Sequence, residues 1–174
     1  MELTHKITTI VFDKTGTITE GSPEVTDIIL ASGAERNKLL QLAASGEKGS
    51  EHPLGEAIVK RAEKENLEFL KVDQFEAIPG HGIKVVMEAK EVFIGNRKLM
   101  EDREIALNEL SIKSDQLAGE GKTPMYVAVD NQIAGIIAVA DVVKESSAEG
   151  LNKVLLRLTP KGAVATAHHK TAHT

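Results

Sequence analysis

Ile7-Thr8-Thr9-Ile10-Val11-Phe12, followed at once by Asp13-Lys14-Thr15-Gly16-Thr17, is the stretch that decides how this chain is to be read. A run of apolar and β-branched residues reads as a strand buried in a parallel sheet. The Asp stands at its carboxyl end, where open α/β sheets place their ligand chemistry. An Asp there, followed by Lys, two Thr and a Gly that lets the backbone turn tightly, is suited to a phosphoryl group. The carboxylate can attack phosphorus or hold a cation, the Lys offers positive charge, and hydroxyls and backbone N–H groups can bind non-bridging oxygens. A strand ending in an Asp turn accounts for Asp13 alone but leaves the rest of the pentapeptide unexplained.

With Ile18-Thr19-Glu20-Gly21 after it, the pentapeptide resembles the phosphorylation signature of the P-type ATPases. The resemblance implies that Asp13 accepts the γ-phosphoryl group of ATP, with Lys14 and Thr15 as further catalytic residues and Asp13 and Thr15 as ligands of an incomplete Mg²⁺ site. In the related phosphatases of the haloacid dehalogenase superfamily, a second Asp two residues after the nucleophile works as general acid and base. Here that place holds Thr15. A Thr hydroxyl near neutral pH does not shuttle protons as a carboxylate does, so a phosphoryl group on Asp13 is expected to persist, as a pump requires.

Composition narrows the alternatives. The chain has 174 residues, enough for one large or two small domains with a real core. A net charge of -5, with basic residues interspersed among acidic ones, gives no footprint for nucleic acid. The absence of Cys excludes disulfides and thiolate metal sites and fits a reducing cytosolic setting. A membrane span needs roughly 20 apolar residues, whereas the longest continuous run here is Ile133 to Ala140. No secretory signal precedes the first strand. A soluble chain is expected, without direct membrane insertion.

Along the chain, the patterns predict a strand at Pro23 to Leu30 and a helix at Ala34 to Gly46. A second helix, Pro53 to Asn66, starts on a Pro suited to the first helical position and gathers Leu54, Ala57, Ile58 and Ala62 on one face. Strands follow near Asp73 to Ile78, Ile83 to Glu88 and Glu91 to Ile94, with Pro79 to Gly82 and Ala89-Lys90 as turns. A helix is expected from Ile105 to Ala118, then strands Met125 to Val129 and Gln132 to Ala140 around Asp130-Asn131, and a helix from Val143 to Arg157. Strands clustered between helical pairs indicate an α/β chain carrying an α+β insertion. The expected division is 1–22 as a first segment, 23–133 as the insertion, and 134–174 as a second segment.

The second informative cluster is Ser50-Glu51-His52-Pro53-Leu54-Gly55, with Glu47 upstream. A His just before a Pro-started helix is oriented by it, and a neutral imidazole can stack on or hydrogen-bond to a purine. This segment resembles the nucleotide-binding signature of heavy-metal-transporting P-type ATPases, especially the copper-exporting branch. Pro79-Gly80-His81-Gly82-Ile83 resembles that family's glycine loop, where absent side chains admit the nucleotide, and Ile94-Gly95-Asn96 its Gly-Asn pair. The resemblance assigns Glu47 to the adenine amino group and His52 to adenine contact. Gly80 and Gly82 would provide close backbone approach, and Asn96 a polar contact near the ribose or phosphates.

The implied fold is an α+β nucleotide-binding domain, an antiparallel sheet flanked by helices, inserted into a partial haloacid-dehalogenase-like Rossmann phosphorylation domain. Its cofactors would be ATP and Mg²⁺. Its partners would be ATP or ADP and the transmembrane and actuator portions of a parent pump for Cu⁺, with this region on the cytoplasmic side of the cell membrane. Asp141 resembles the family's second Asp at a strand end facing the nucleophile; it equally suits the N-cap of the helix expected after it. The pattern breaks at Thr166-Ala167-His168-His169-Lys170-Thr171-Ala172, where a Thr-Gly-Asp turn is expected, and the family's later Lys and Gly-Asp-Gly-x-Asn-Asp motifs do not follow. The expectation is an excised or truncated portion that binds ATP or ADP but is catalytically impaired. A soluble phosphohydrolase using Asp13, or a non-catalytic nucleotide-binding regulatory module, are the competing readings. His168, His169 and His173 suit either a metal or a flexible tail.

Overall fold

The structure is a computed structural model and describes residues 19–143. Within them Ser22–Val142 forms a compact unit built on one six-stranded sheet in the order β1-β6-β5-β4-β3-β2. The strands are β1 (Thr19–Leu30), β2 (Gln74–Ile78), β3 (Gly82–Met87), β4 (Lys90–Gly95), β5 (Thr123–Val129) and β6 (Gln132–Val143). Each pair from β2 through β6 is antiparallel. Four helices cover the sheet: α1 (Arg36–Glu47), α2 (Pro53–Lys64), α3 (Arg97–Asp102) and α4 (Leu110–Gly119). The chain enters the unit along β1 and leaves along β6, which are neighbours in the sheet.

The apolar strands are explained by helices on both faces. In a strand, successive side chains point to opposite faces, and β4, β5 and β6 are sorted that way. Val92, Ile94, Val127, Ile137 and Val139 join one core with Leu40, Ala43, Ala57 and Ile58 of α1 and α2. Phe93, Tyr126, Ala128, Ile136 and Ala138 join a second core with Leu99, Met100 and Leu117 of α3 and α4. Being buried on both sides, these strands need no polar alternation, and their sequence shows little. β3 is packed on one side only and alternates, with Ile83, Val85 and Met87 inward. Pro23 lies in β1, an edge strand, where a missing N–H breaks no interior ladder.

The hairpin turns fall where expected, and Asp130-Asn131 takes two positive φ angles, 48° and 61°, as a tight two-residue hairpin demands. The structure differs from the sequence pattern in places. The helix predicted over Ile105 to Ala118 starts only at Leu110, because Glu104 and Asn108 both take left-handed φ near 50°, at 55° and 50°, and Ile105 packs into the second core without being helical. α3 was not predicted at all; six residues are too few to show a period. β6 pairs with β5 from Gln132 to Val139, and the compact unit runs from Ser22 to Val142. Val143 is the last residue of β6 and not the start of a helix. The strand predicted at Ile7 to Phe12, residues 144–157 of the last predicted helix, and the His-containing tail lie outside the described residues.

α1 and α2 form an antiparallel-type pair joined at Lys48–His52, and an ion triad ties them together. Arg36 of α1 and Arg61 of α2 both bind the Glu65 carboxylate, at 2.6 Å each, and Arg61 Nη1 also donates to Val25 O of β1 at 3.0 Å. The two guanidinium groups hold Glu65 down at about 2, from an ordinary 4.5. The depressed value means that this stabilisation is complete above pH 4.5 and is lost as the pH falls toward 2. Because the side chains are partly exposed, solvent screening limits it to about 1 kcal/mol. Glu65→Gln should therefore lower unfolding free energy by that amount at neutral pH, with the deficit shrinking to nothing by about pH 2; urea titrations across pH would show it, and a pH-independent deficit would contradict it.

Candidate functional site

A cavity of about 470 Å³ opens where the end of α1, the start of α2, the β2–β3 turn and the first residues of β5 meet. Glu47, Ser50, His52 and Leu54 form one wall, Pro79 to Ile83 with Gly95 and Asn96 another, and Thr123, Pro124 and Met125 close it. Glu47, His52, Gly80, Gly82 and Asn96, all nominated from sequence, thus share one cavity. Asp13, Lys14 and Thr15 lie outside the described residues. Asp141 lies inside β6, two residues before its end, and so is not the cap of a helix beginning at Val142.

The helix-start chemistry fixes His52. It is the N-cap of α2: its Nδ1 accepts the Leu54 N–H at 3.2 Å, and its C=O accepts from Glu56 N–H at 3.0 Å. With the Nδ1 lone pair used, the proton of the neutral ring sits on Nε2, leaving a single outward donor. Ser50 braces the same turn. Its Oγ accepts the His52 N–H at 3.2 Å, and its hydroxyl bonds the Glu47 carboxylate. Ser50 has no assigned role in the sequence reading, and the Ser-x-His spacing, a hydroxyl reaching its own backbone two residues on, is its signal in the sequence.

Glu47 is the last residue of α1 and only 3% exposed. Burial pushes its carboxyl above the ordinary value, against the opposing pull of the Ser50 hydroxyl and the His52 ring. A buried carboxylate at the rim of an apolar cavity is an acceptor held ready for a donor from outside.

The glycine loop is held from below. At Gly82 the backbone takes φ +145° and a side chain would overlap Ile94 O, so only Gly fits. Its antiparallel partner is Gly95, where a Cβ would overlap His81 O. Two bare strands can therefore meet at the cavity floor. Asn96 locks them: its N–H donates to His81 O at 2.8 Å, its Nδ2 to Gly80 O at 2.8 Å, and its Oδ1 caps α3 by accepting from Leu99 N–H at 3.1 Å. The His81 ring adds a second tie, with Nδ1 2.8 Å from Pro79 O and Nε2 3.1 Å from Asp102 Oδ2 at the end of α3. Both polar atoms of the Asn96 side chain are thus bound within the protein, and its action on a ligand runs through the loop it holds.

The lining contains no Lys or Arg, and its walls are Leu54, Ile78, Pro79, Ile83, Pro124 and Met125. Such a cavity suits a flat heterocycle with one donor and one acceptor to match, and offers no Lys or Arg to a phosphate. A larger cavity of about 580 Å³ lies at the other end of β5 and β6, between Ile29 to Ser32, Ala106 to Leu110 and Asn131 to Ile133. It gathers no buried ionisable group. Among the described residues no cluster of three or more His, Asp or Glu could hold a metal ion, and no helix is long and apolar enough to cross a membrane.

Burial of Glu47 carries a cost that the fold bears for its site. An acid whose folded value is raised destabilises the fold once ionised, so the cost is full above the raised value and vanishes below 4.5. Glu47→Gln, which keeps the shape and an acceptor for Ser50, should raise Tm at neutral pH and lose that advantage below pH 4.5; calorimetry at the two pH values would decide, with a lowered neutral Tm contradicting the account.

The chain is similar to known proteins over most of its length. The haloacid dehalogenase-like hydrolase family matches residues 7–171. The copper-exporting P-type ATPase of Bacillus subtilis (strain 168) is 44% identical over 154 residues, covering 88% of this chain and 19% of that protein. The chain therefore spans about a fifth, 19%, of such curated relatives. Among solved structures, a zinc-transporting PIB-type ATPase in the E2.Pi state superposes with TM-score 0.76 at 30% identity, covering 83% of this chain and 23% of that one. The N-domain of HMA6, a copper-transporting P-type ATPase, gives TM-score 0.57 at 28% identity, covering 68% of this chain and 98% of that domain.

Proposed function

The chain belongs to the haloacid dehalogenase-like hydrolase family, and from that premise we propose that it is the ATP-binding cytoplasmic region of a heavy-metal P-type pump, of the copper-exporting branch. The observation that carries the reading is the cavity where a buried carboxylate, a helix-capping imidazole and a bare glycine loop converge without a Lys or Arg side chain. Adenine fits that chemistry. Its exocyclic amino group donates to Glu47, its ring lies between Leu54, Ile83 and Met125, and the His52 Nε2–H meets a ring or sugar acceptor. The phosphates, finding no cation in the cavity, extend away from it.

In the parent pump the γ-phosphoryl group of ATP would pass to Asp13, with Lys14 and Thr15 beside it in sequence, and Mg²⁺ would supply charge neutralisation there. Asp13 and Thr15, which would hold Mg²⁺, lie outside the described residues. Where the family resemblance calls for a Thr-Gly-Asp turn, Thr166-Ala167-His168 stands instead. Slow or absent self-phosphorylation and intact nucleotide binding are therefore the expected behaviour. The other partners are the transmembrane and actuator parts of the pump.

Titration of the chain with ATP tests the binding half. His52→Ala removes both the cap and the outward donor and should weaken ATP about tenfold or more, the equivalent of one well-placed hydrogen bond; unchanged affinity would sink the pocket. Incubation with γ-labelled ATP should leave little label on the protein, and steady hydrolysis of small phosphate esters that vanishes in Asp13→Asn would favour the phosphohydrolase reading instead.

A further inference from the structure

Gly55 is the third residue of α2, is buried, and carries no positive φ that would require a glycine. Inside a helix a glycine costs roughly 0.5–1 kcal/mol relative to Ala. Local backbone needs therefore do not explain it. What lies over it does: a Cβ at Gly55 would overlap Glu47 Oε2 and stand 3.0 Å from Glu47 Cδ and 3.3 Å from its Cβ. The Glu47 side chain rests along the missing side chain for its whole length.

The part that can give way is the free end of the Glu47 side chain, because the backbone on either side is fixed. Glu47 is 3% exposed, and the residue before it is wedged against the sheet: a Cβ at Gly46 would be 2.6 Å from Ile94 Cδ1 and 3.2 Å from Val85 Cγ2. The start of α2 is fixed by Pro53 and by the His52 cap. Close-packed interiors absorb one added methyl only by displacing something, and here the atoms in its path are those of the carboxylate. The Ser50 hydroxyl also bonds the carboxylate.

Building on the adenine-nucleotide reading above, we propose that Gly55 is a positioning residue that sets base specificity. The space it leaves seats the Glu47 carboxylate where it accepts from the exocyclic amino group of adenine. Filling that space moves the acceptor and removes the preference for an amino-bearing base, while the rest of the pocket still holds a purine.

The test compares ATP with ITP, whose base carries a carbonyl in place of the amino group, on the full chain by calorimetric titration. The unsubstituted chain should prefer ATP by about tenfold or more. Gly55→Ala should bring ATP down to the ITP affinity while ITP changes less than about twofold, and Tm should hold or rise by helix propensity. Retained ITP binding shows that the pocket is folded. In a Glu47→Gln background, which already lacks the carboxylate, Gly55→Ala should change the ATP/ITP ratio no further. A Gly55→Ala protein that keeps the original ratio, or that loses ATP and ITP alike, overturns the inference. An unsubstituted chain that binds ATP and ITP equally, or neither, overturns the adenine reading itself and this inference with it.

Discussion

A carboxylate buried at the join of α1 and α2 sets the terms for the site. Glu47 is shut away from water, and the chain around it is arranged to make that tolerable. Ser50 reaches back with its hydroxyl, the first turn of α2 presents its positive dipole end, and Gly55 supplies the space. None of these removes the burial cost completely, which is why the carboxyl remains above its ordinary value. Groups left strained in an otherwise consistent fold mark functional positions, and here the strain is electrostatic.

Holding such a group requires a rigid base, which the sheet provides. Its central strands are covered on both faces, and the two cores differ in what they hold. One keeps α1 and α2, and with them Glu47 and His52, against β3, β4 and β5. The other anchors α3, whose cap Asn96 and last residue Asp102 fix the glycine loop from the opposite side. The cavity is where these two attachments meet at one end of the sheet. On the adenine reading proposed above, apolar walls without Lys or Arg divide the work: this unit would grip the base and leave the phosphates to other residues.

Sequence made much of this legible because the signals were local. Pro53 marked the start of α2, Asp130-Asn131 marked a hairpin, and Glu47, His52, Gly80, Gly82 and Asn96 were nominated from two short segments and one dipeptide that the fold brings together. What stayed hidden was nonlocal. Thr123, Pro124 and Met125 close the cavity only because β5 pairs with β4, and nothing within those three residues says so. α3 was too short to show a period, and the apolar run 133–140 suited a new segment as well as the strand that completes this sheet. The reason for Gly55 appears only when Glu47 is seen lying on it.

The claim on which the rest depends is that the cavity between α2 and the glycine loop is the nucleoside site. Backbone amide NMR of the full chain titrated with ATP tests it most directly. The account predicts saturable shifts concentrated at Ser50 to Leu54, Gly80 to Gly82, Asn96 and Met125, with Ile29 to Ser32 and Ala106 to Lys113 unmoved. Shifts centred on the second cavity, or none anywhere at millimolar ATP, would contradict it.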